Sequence, residues 1–179
     1  SMTAGSIYEL LIGQTTLKNI IVTSKESFFD VATANQSLAG AEIELVDIPD
    51  REYILKKQIE SLNKQYDFIL IDCPPALNLL TVNALVAANS VLIPMQCEYF
   101  ALEGLSDLVN TIKKVKNHLN TEIEIEGLLR TLFDKRNTLA QQVSEQLSAH
   151  FGSKVYETII PRNVRLAEAP SYGKQVLFY

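Results

Sequence analysis

Residues 68–71 (Phe-Ile-Leu-Ile), which lead into Asp72, and residues 91–95 (Val-Leu-Ile-Pro-Met) are apolar at successive positions rather than at alternate ones. A strand with one wet face alternates, whereas a strand buried on both faces does not. Around these runs lie stretches of ten or more residues with apolar side chains every three or four positions. Together the two patterns demand an α/β fold, a mostly parallel sheet with helices on both faces. Ligands of such sheets sit beyond the carboxyl ends of the strands, so the residues that follow each strand are the ones to weigh for function.

The periodicity predicts a helix over 6–14, carried by Ile7, Leu10 and Leu11, and leaves 17–24 open between helix and strand. A strand is expected at 27–34 and a helix at 35–47 capped by Asn35. Asp50 reads as the cap of a helix over 50–65 with Leu55, Ile59 and Leu62 on one face. After the strand 67–72 come a helix at 79–89, a strand at 90–96 and a helix at 101–120 striped by Leu102, Leu105, Leu108, Ile112, Val115 and Leu119. A strand at 123–133, a helix at 138–152 built on Leu139, Val143, Leu147 and Phe151 and stopped by Gly152, and a strand at 154–161 complete the alternation. The last eighteen residues hold a short helix and a possible strand.

A chain of 179 residues is long enough for one domain with a substantial core. No apolar run reaches the roughly 18 to 20 residues of a membrane span, and no signal peptide is visible. Two cysteines, Cys73 and Cys97, make no disulfide framework; both follow core strands and read as small buried residues. The cytoplasm is the simplest compartment. The net charge of −5 is uneven, −6 over residues 1–100 and +1 over 101–179. An acidic chain binds nucleic acid only where its few cations share a face. Residues 1–2, Ser-Met, read as a tag remnant and a start methionine, leaving 3–179 as one domain.

Asp72 closes the strand 67–72 where a nucleotide's phosphates and Mg²⁺ would lie. Mg²⁺ keeps most of its waters, so one carboxylate acting through water suffices. The competing role for Asp72 is to cap the next turn. Pro74 and Pro75 then fix two φ angles and remove two donors, sending a stiff segment out of the sheet. The Lys113–Lys116 run sits on the polar face of an amphipathic helix and reads as solvated. His118 and His150 each lack metal-ligand neighbours in the sequence.

Four stretches then carry a resemblance: YDFILIDCPPALNLLTVNAL (66–85), VLIPMQCEYFALEGLSDLVNTI (91–112), IIPRNVRLAEAPSYGKQVLFY (159–179) and LAGAEIELV (38–46). They closely resemble the ParA/Soj family of chromosome- and plasmid-partitioning ATPases, P-loop NTPases with a deviant Walker A motif, related to MinD and the nitrogenase iron protein. The resemblance implies ATP and Mg²⁺ as ligands, with Asp72 as the Walker B carboxylate and Pro161, Arg162 and Asn163 beside the adenine. Asn163 also fits as a cap of the helix that follows. The resemblance further implies that Arg136 and Arg165 contact DNA phosphates without sequence preference, where the plain alternative is two solvated arginines; Lys135 and Lys174 would add to the patch. By the same resemblance, Tyr99, Phe100 and Glu103 fall in a segment expected to pack near the nucleotide and the dimer interface, with no specific role assigned. Implied partners are non-specific DNA, a ParB-type protein and a second copy, at the nucleoid in the cytoplasm.

The family opens with a KGGVGKTT-type phosphate loop, and no G-x-x-x-x-G-K-[ST] occurs in these 179 residues. The chain reads as a partial domain lacking the first strand–helix–strand unit and the last helix. The expectation is that by itself it neither hydrolyses ATP nor holds it tightly. Open strand edges would favour a homodimer or a strand-exchanged oligomer. Two alternatives remain: a MinD-like ATPase with a lipid-binding basic helix, for which no segment occurs before Tyr179, and a metabolic ATP-dependent enzyme of the same fold.

Overall fold

The computed structural model describes residues 5–24, 29–62, 66–74, 76–173 and 176. The chain divides into two compact units, Ser1–Asn89 with Lys114–Ile123, and Ser90–Lys113 with Glu124–Tyr179. Pro75, Lys174 and the residues of the possible last strand other than Val176 lie outside the described residues.

In the first unit α1 (Ile7–Leu11) starts on a capping box: Glu9 Oε2 accepts the Ser6 N–H at 2.7 Å while Ser6 Oγ accepts from the Tyr8 N–H at 3.2 Å. The stretch left open at 17–24 becomes both structures, α2 (Leu17–Ile20) running into β1 (Ile21–Thr23), which pairs antiparallel with β2 (Asp30–Ala32). Leu17 and Ile20 are drawn into the core, and the β-branched Ile21, Val22 and Thr23 that follow suit a ladder. Asn35 accepts from the Ser37 N–H at 2.9 Å and opens a 3₁₀ turn that leads into α3 (Ala41–Leu45). The core of this unit gathers Leu10, Leu11, Leu17, Ile20, Ala41, Leu45 and Leu55, with Ile59 and Leu62 packed at its border.

Asp50 does not cap a helix. It takes a left-handed backbone with φ of 55°, its carboxylate accepts from Lys57 Nζ at 2.9 Å, and a 3₁₀ turn precedes α4 (Ile54–Glu60). Asn78 caps α5 (Leu79–Ala87), accepting from the Thr81 N–H at 3.1 Å. The buried Asn120 amide closes the far end of α5, reaching the carbonyls of Leu85, Val86 and Ala88 at 2.8–3.2 Å.

The expected strand at 67–72 is not a ladder strand. The segment pairs with none of the described strands, and Phe68 and Leu70 are 86% and 92% exposed. An apolar run reads as a buried strand only when neighbours bond both of its edges, and none does here. It is held to its own unit by Ile71, which packs on the core, and by the Tyr66 hydroxyl, which donates to Asp30 at 2.7 Å. Cys73 is correspondingly exposed rather than buried.

The second unit is the parallel half of the α/β fold. β3 (Ser90–Gln96), α6 (Ala101–His118, whose last residues belong with the first unit), β4 (Glu124–Phe133), α7 (Thr138–Phe151) and β5 (Val155–Pro161) alternate, and the strands lie in the order β3-β4-β5. Ile93 and Met95 of β3 are buried while Leu92 and Pro94 are exposed, so the described residues cover one face of this strand rather than two. Asn137 caps α7, and Gly152, at φ of 52°, ends it. Its packed face is Ala140, Val143, Ser144 and Leu147; Leu139, expected inside, is exposed. Gly127 lets β5 close on β4, since a Cβ there would lie 2.5 Å from the Tyr156 ring and 2.9 Å from the Lys154 carbonyl oxygen. Among the described residues no helix is long and apolar enough to cross a membrane.

Candidate functional site

The carboxyl ends of β4 and β5 form one rim. Phe133 pairs with Pro161 at the end of the ladder, and the Arg162 N–H then donates to the Phe133 carbonyl at 3.1 Å. The next turn closes on itself: Asp134 Oδ1 accepts the Arg136 N–H at 2.9 Å, and the Asn137 N–H donates to the Asp134 carbonyl at 3.0 Å. Leu132, just before the rim, holds φ of 49°, a left-handed conformation that a leucine adopts only when the surrounding structure imposes it.

A cavity of about 780 Å³ opens here, with Phe133, Ile159, Pro161 and Val164 as its apolar wall, Asp134 and Glu157 as its acids, and Lys135, Arg136 and Arg162 as its cations. A smaller one of about 270 Å³, lined among others by Gln96, Glu98, Asn137 and Arg162, shares Phe133 and Asp134 with it. An apolar wall with a few converging polar groups is the usual make-up of a small-molecule site, and the cations beside it suit an anion. The fold thus brings Arg136, Pro161 and Arg162 to one cavity. Asn163 does not line it. Its Oδ1 accepts from the Arg165 N–H at 2.8 Å, so the residue caps α8 (Val164–Glu168), the alternative left open by the sequence. Arg165 stands exposed on the first turn of α8, and Lys135 is exposed.

Asp134 and Arg130 were not singled out by sequence. Asp134 binds the Arg136 guanidinium at both oxygens, from Nε at 3.1 Å and Nη2 at 2.9 Å. Those side-chain bonds, then the backbone N–H of Arg136, pull the Asp134 carboxyl down to about 2, with Arg162 adding a smaller effect. The D-x-R spacing at 134–136 was the available signal. Arg130 stitches β4 to its neighbours: Nη1 donates to Ser144 Oγ at 2.8 Å and Nη2 to the Tyr156 carbonyl at 2.7 Å. An arginine inside the apolar run GLLRTLF was the clue to it. Burial raises the nearby Cys97 thiol and the Arg130 charge opposes that.

Asp72 belongs to the other unit and is exposed within the segment 66–74, which joins none of the described strands. Among the described residues no group of three or more His, Cys, Asp or Glu side chains could hold a metal on its own. One exposed carboxylate fits Mg²⁺ only in the way the ion is often held, through water and substrate phosphates. Tyr99 and Phe100, past β3, are exposed and stack edge to face with ring centroids 5.0 Å apart. Lys113, Lys114, His118 and His150 are exposed, as a solvated face requires.

Residues 2–125 match the family model AAA_31, an AAA domain. The chain is 51% identical over 173 residues to the sporulation initiation inhibitor protein Soj of Bacillus subtilis, covering 97% of this chain and 68% of that one. It is 47% identical over 176 residues to the chromosome partitioning protein ParA of Caulobacter vibrioides, covering 97% and 66%. The chain therefore spans about two thirds of the length of these relatives. Among solved structures, cobyrinic acid a,c-diamide synthase of Mycobacterium smegmatis, with bound ATP analog and magnesium, superposes with a TM-score of 0.82 at 32% identity, covering 96% of this chain and 75% of that one.

Proposed function

The chain belongs to the ParA/Soj family of partitioning ATPases, and on that premise we propose that the whole protein is a MgATP-dependent switch that dimerises, coats DNA without sequence preference and is reset by a ParB-type partner. The observation that carries this reading is the gathering of Pro161, Arg162, Arg136 and Lys135 around one cavity at the carboxyl ends of parallel strands.

In this reading Pro161 offers an apolar plane to the adenine and the Arg162 backbone and guanidinium hold its edge. Asn163 acts mainly by capping α8 and so aiming the preceding loop. Asp72 holds Mg²⁺ through water, and the ion supplies charge neutralisation at the phosphates. Arg136 and Arg165 take DNA phosphates through guanidinium contacts that carry no base information. The 179 residues contain no phosphate-loop motif, so we assign them neither tight ATP binding nor hydrolysis on their own. Exposed Phe68 and Leu70 support self-association of this chain through its unpaired segment, in the cytoplasm at the nucleoid.

The test is an electrophoretic shift and ATP turnover on the full-length protein with Asp72→Ala, Arg136→Ala and Arg165→Ala. Loss of turnover with the first, and loss of ATP-dependent DNA binding with the other two, supports the reading; unchanged DNA binding in the double arginine variant overturns it. The 32% likeness to an amide-forming synthase favours a second reading, a metabolic ATP-dependent enzyme, which predicts no DNA shift in any variant.

A further inference from the structure

Two arginines carry the proposed DNA contact, and the structure treats them differently. Arg165 has no ion pair among the described residues. Arg136 is held by its own loop: Asp134 takes Nε at 3.1 Å and Nη2 at 2.9 Å, the bidentate edge of the guanidinium, and its Oδ1 also takes the Arg136 backbone N–H at 2.9 Å. That is the edge a phosphate would use, because carboxylate and phosphate oxygens match the same fork of donors. Both anions cannot occupy it together. The Arg136 side chain is nevertheless 90% exposed, so an incoming phosphate can reach the pair.

The charges point the same way. With Asp134 ionised at any physiological pH, DNA approaching Arg136 meets a locally neutral pair, whereas at Arg165 it meets a cation with no ion pair among the described residues. A surface patch attracts DNA through its summed charge, so a carboxylate placed here weakens the patch even before contact.

We propose that Asp134 is an intramolecular competitor for DNA phosphate, holding Arg136 closed against its own loop until a phosphate oxygen displaces the carboxylate. This rests on the DNA-binding reading above and adds to it an autoinhibitory contact. A protein so built binds DNA less tightly than its cations allow, which suits a coat that must come off.

The experiment is a binding cycle on the full-length protein with MgATP and a non-specific duplex, comparing the parent with Asp134→Asn, Arg136→Ala, Arg165→Ala and the pairs. Asparagine keeps the Oδ1 that accepts the Arg136 N–H, so the turn survives. The expected result is about two- to fivefold tighter DNA binding for Asp134→Asn, the scale of an exposed ion pair. The gain must vanish in the Arg136→Ala background and persist in the Arg165→Ala background. Unchanged or weaker binding in Asp134→Asn, while Arg136→Ala weakens it, overturns the competitor and leaves the DNA reading standing. A gain that persists without Arg136 also overturns it, since only the net charge then matters. Binding indifferent to Arg136 with and without Asp134 overturns both.

Discussion

Arg162 donates its backbone N–H to the carbonyl of Phe133 at 3.1 Å, one residue past the last ladder pair of β4 and β5. The bond fixes the direction in which the loop after β5 leaves the sheet, and so places Pro161 and Arg162 on the cavity wall. Arg162→Ala keeps this donor and Arg162→Pro deletes it. In the full-length protein Arg162→Pro is expected to weaken binding of a fluorescent ATP analogue roughly two- to tenfold beyond Arg162→Ala, the range of one net hydrogen bond. Equal affinities would show that the bond does not shape the site.

The Asp134 carboxyl, drawn down to about 2, gives the pair a pH signature. A depressed carboxylate contributes stability above its unfolded value near 4, and that contribution is lost as pH falls from about 4 through about 2. Arg136→Ala removes the side-chain bonds but not the backbone donor. The Asp134 midpoint, followed by carboxyl-carbon NMR, is expected to rise while staying below the ordinary range. A midpoint left near 2 would contradict the dominance of the guanidinium.

Gly127 is a matter of space rather than of backbone angle. A methyl group there meets the Tyr156 ring at 2.5 Å and the Lys154 carbonyl oxygen at 2.9 Å, and the carbonyl, being backbone, cannot swing away. Gly127→Ala is expected to destabilise the chain by about 1–3 kcal/mol in urea unfolding, as overpacking does. Pairing it with Tyr156→Ala should recover part of that loss, since the nearer clash is then gone.

Leu132 stores strain beside the rim, at φ of 49° and 36% exposure. Asparagine tolerates this conformation better, and that backbone gain works against the loss of the leucine's covered apolar surface. Leu132→Asn is therefore expected to leave the urea midpoint unchanged or raise stability by up to about 1 kcal/mol, against the usual penalty for a polar group in a strand. A clear fall in stability would mean that the leucine's packing outweighs its backbone cost.

The alternation of β3, α6, β4, α7 and β5 was legible in the sequence because periodicity and caps are local. Stripes such as Leu105, Ile112 and Val115 report one helix face wherever it ends up, and Asn137 and Gly152 mark their helix whatever it packs on. The ends of those strands followed from the same signal, whereas Pro161, Arg162 and Arg136 were singled out there by the family resemblance. What the tertiary structure alone decided depends on partners distant in sequence. The run 67–72 has the composition of a buried strand, yet whether it becomes one rests on neighbours bonding its edges, and Phe68 and Leu70 stand exposed without them. Asn163 could cap, line a pocket or do both on chemistry alone; its bond to the Arg165 N–H appears only in the folded chain. Left-handed Leu132 and the reach of Arg130 to Ser144 and Tyr156 arise only when the chain has folded, because backbone closure and long-range side-chain pairing are set by positions in space that residue type does not encode.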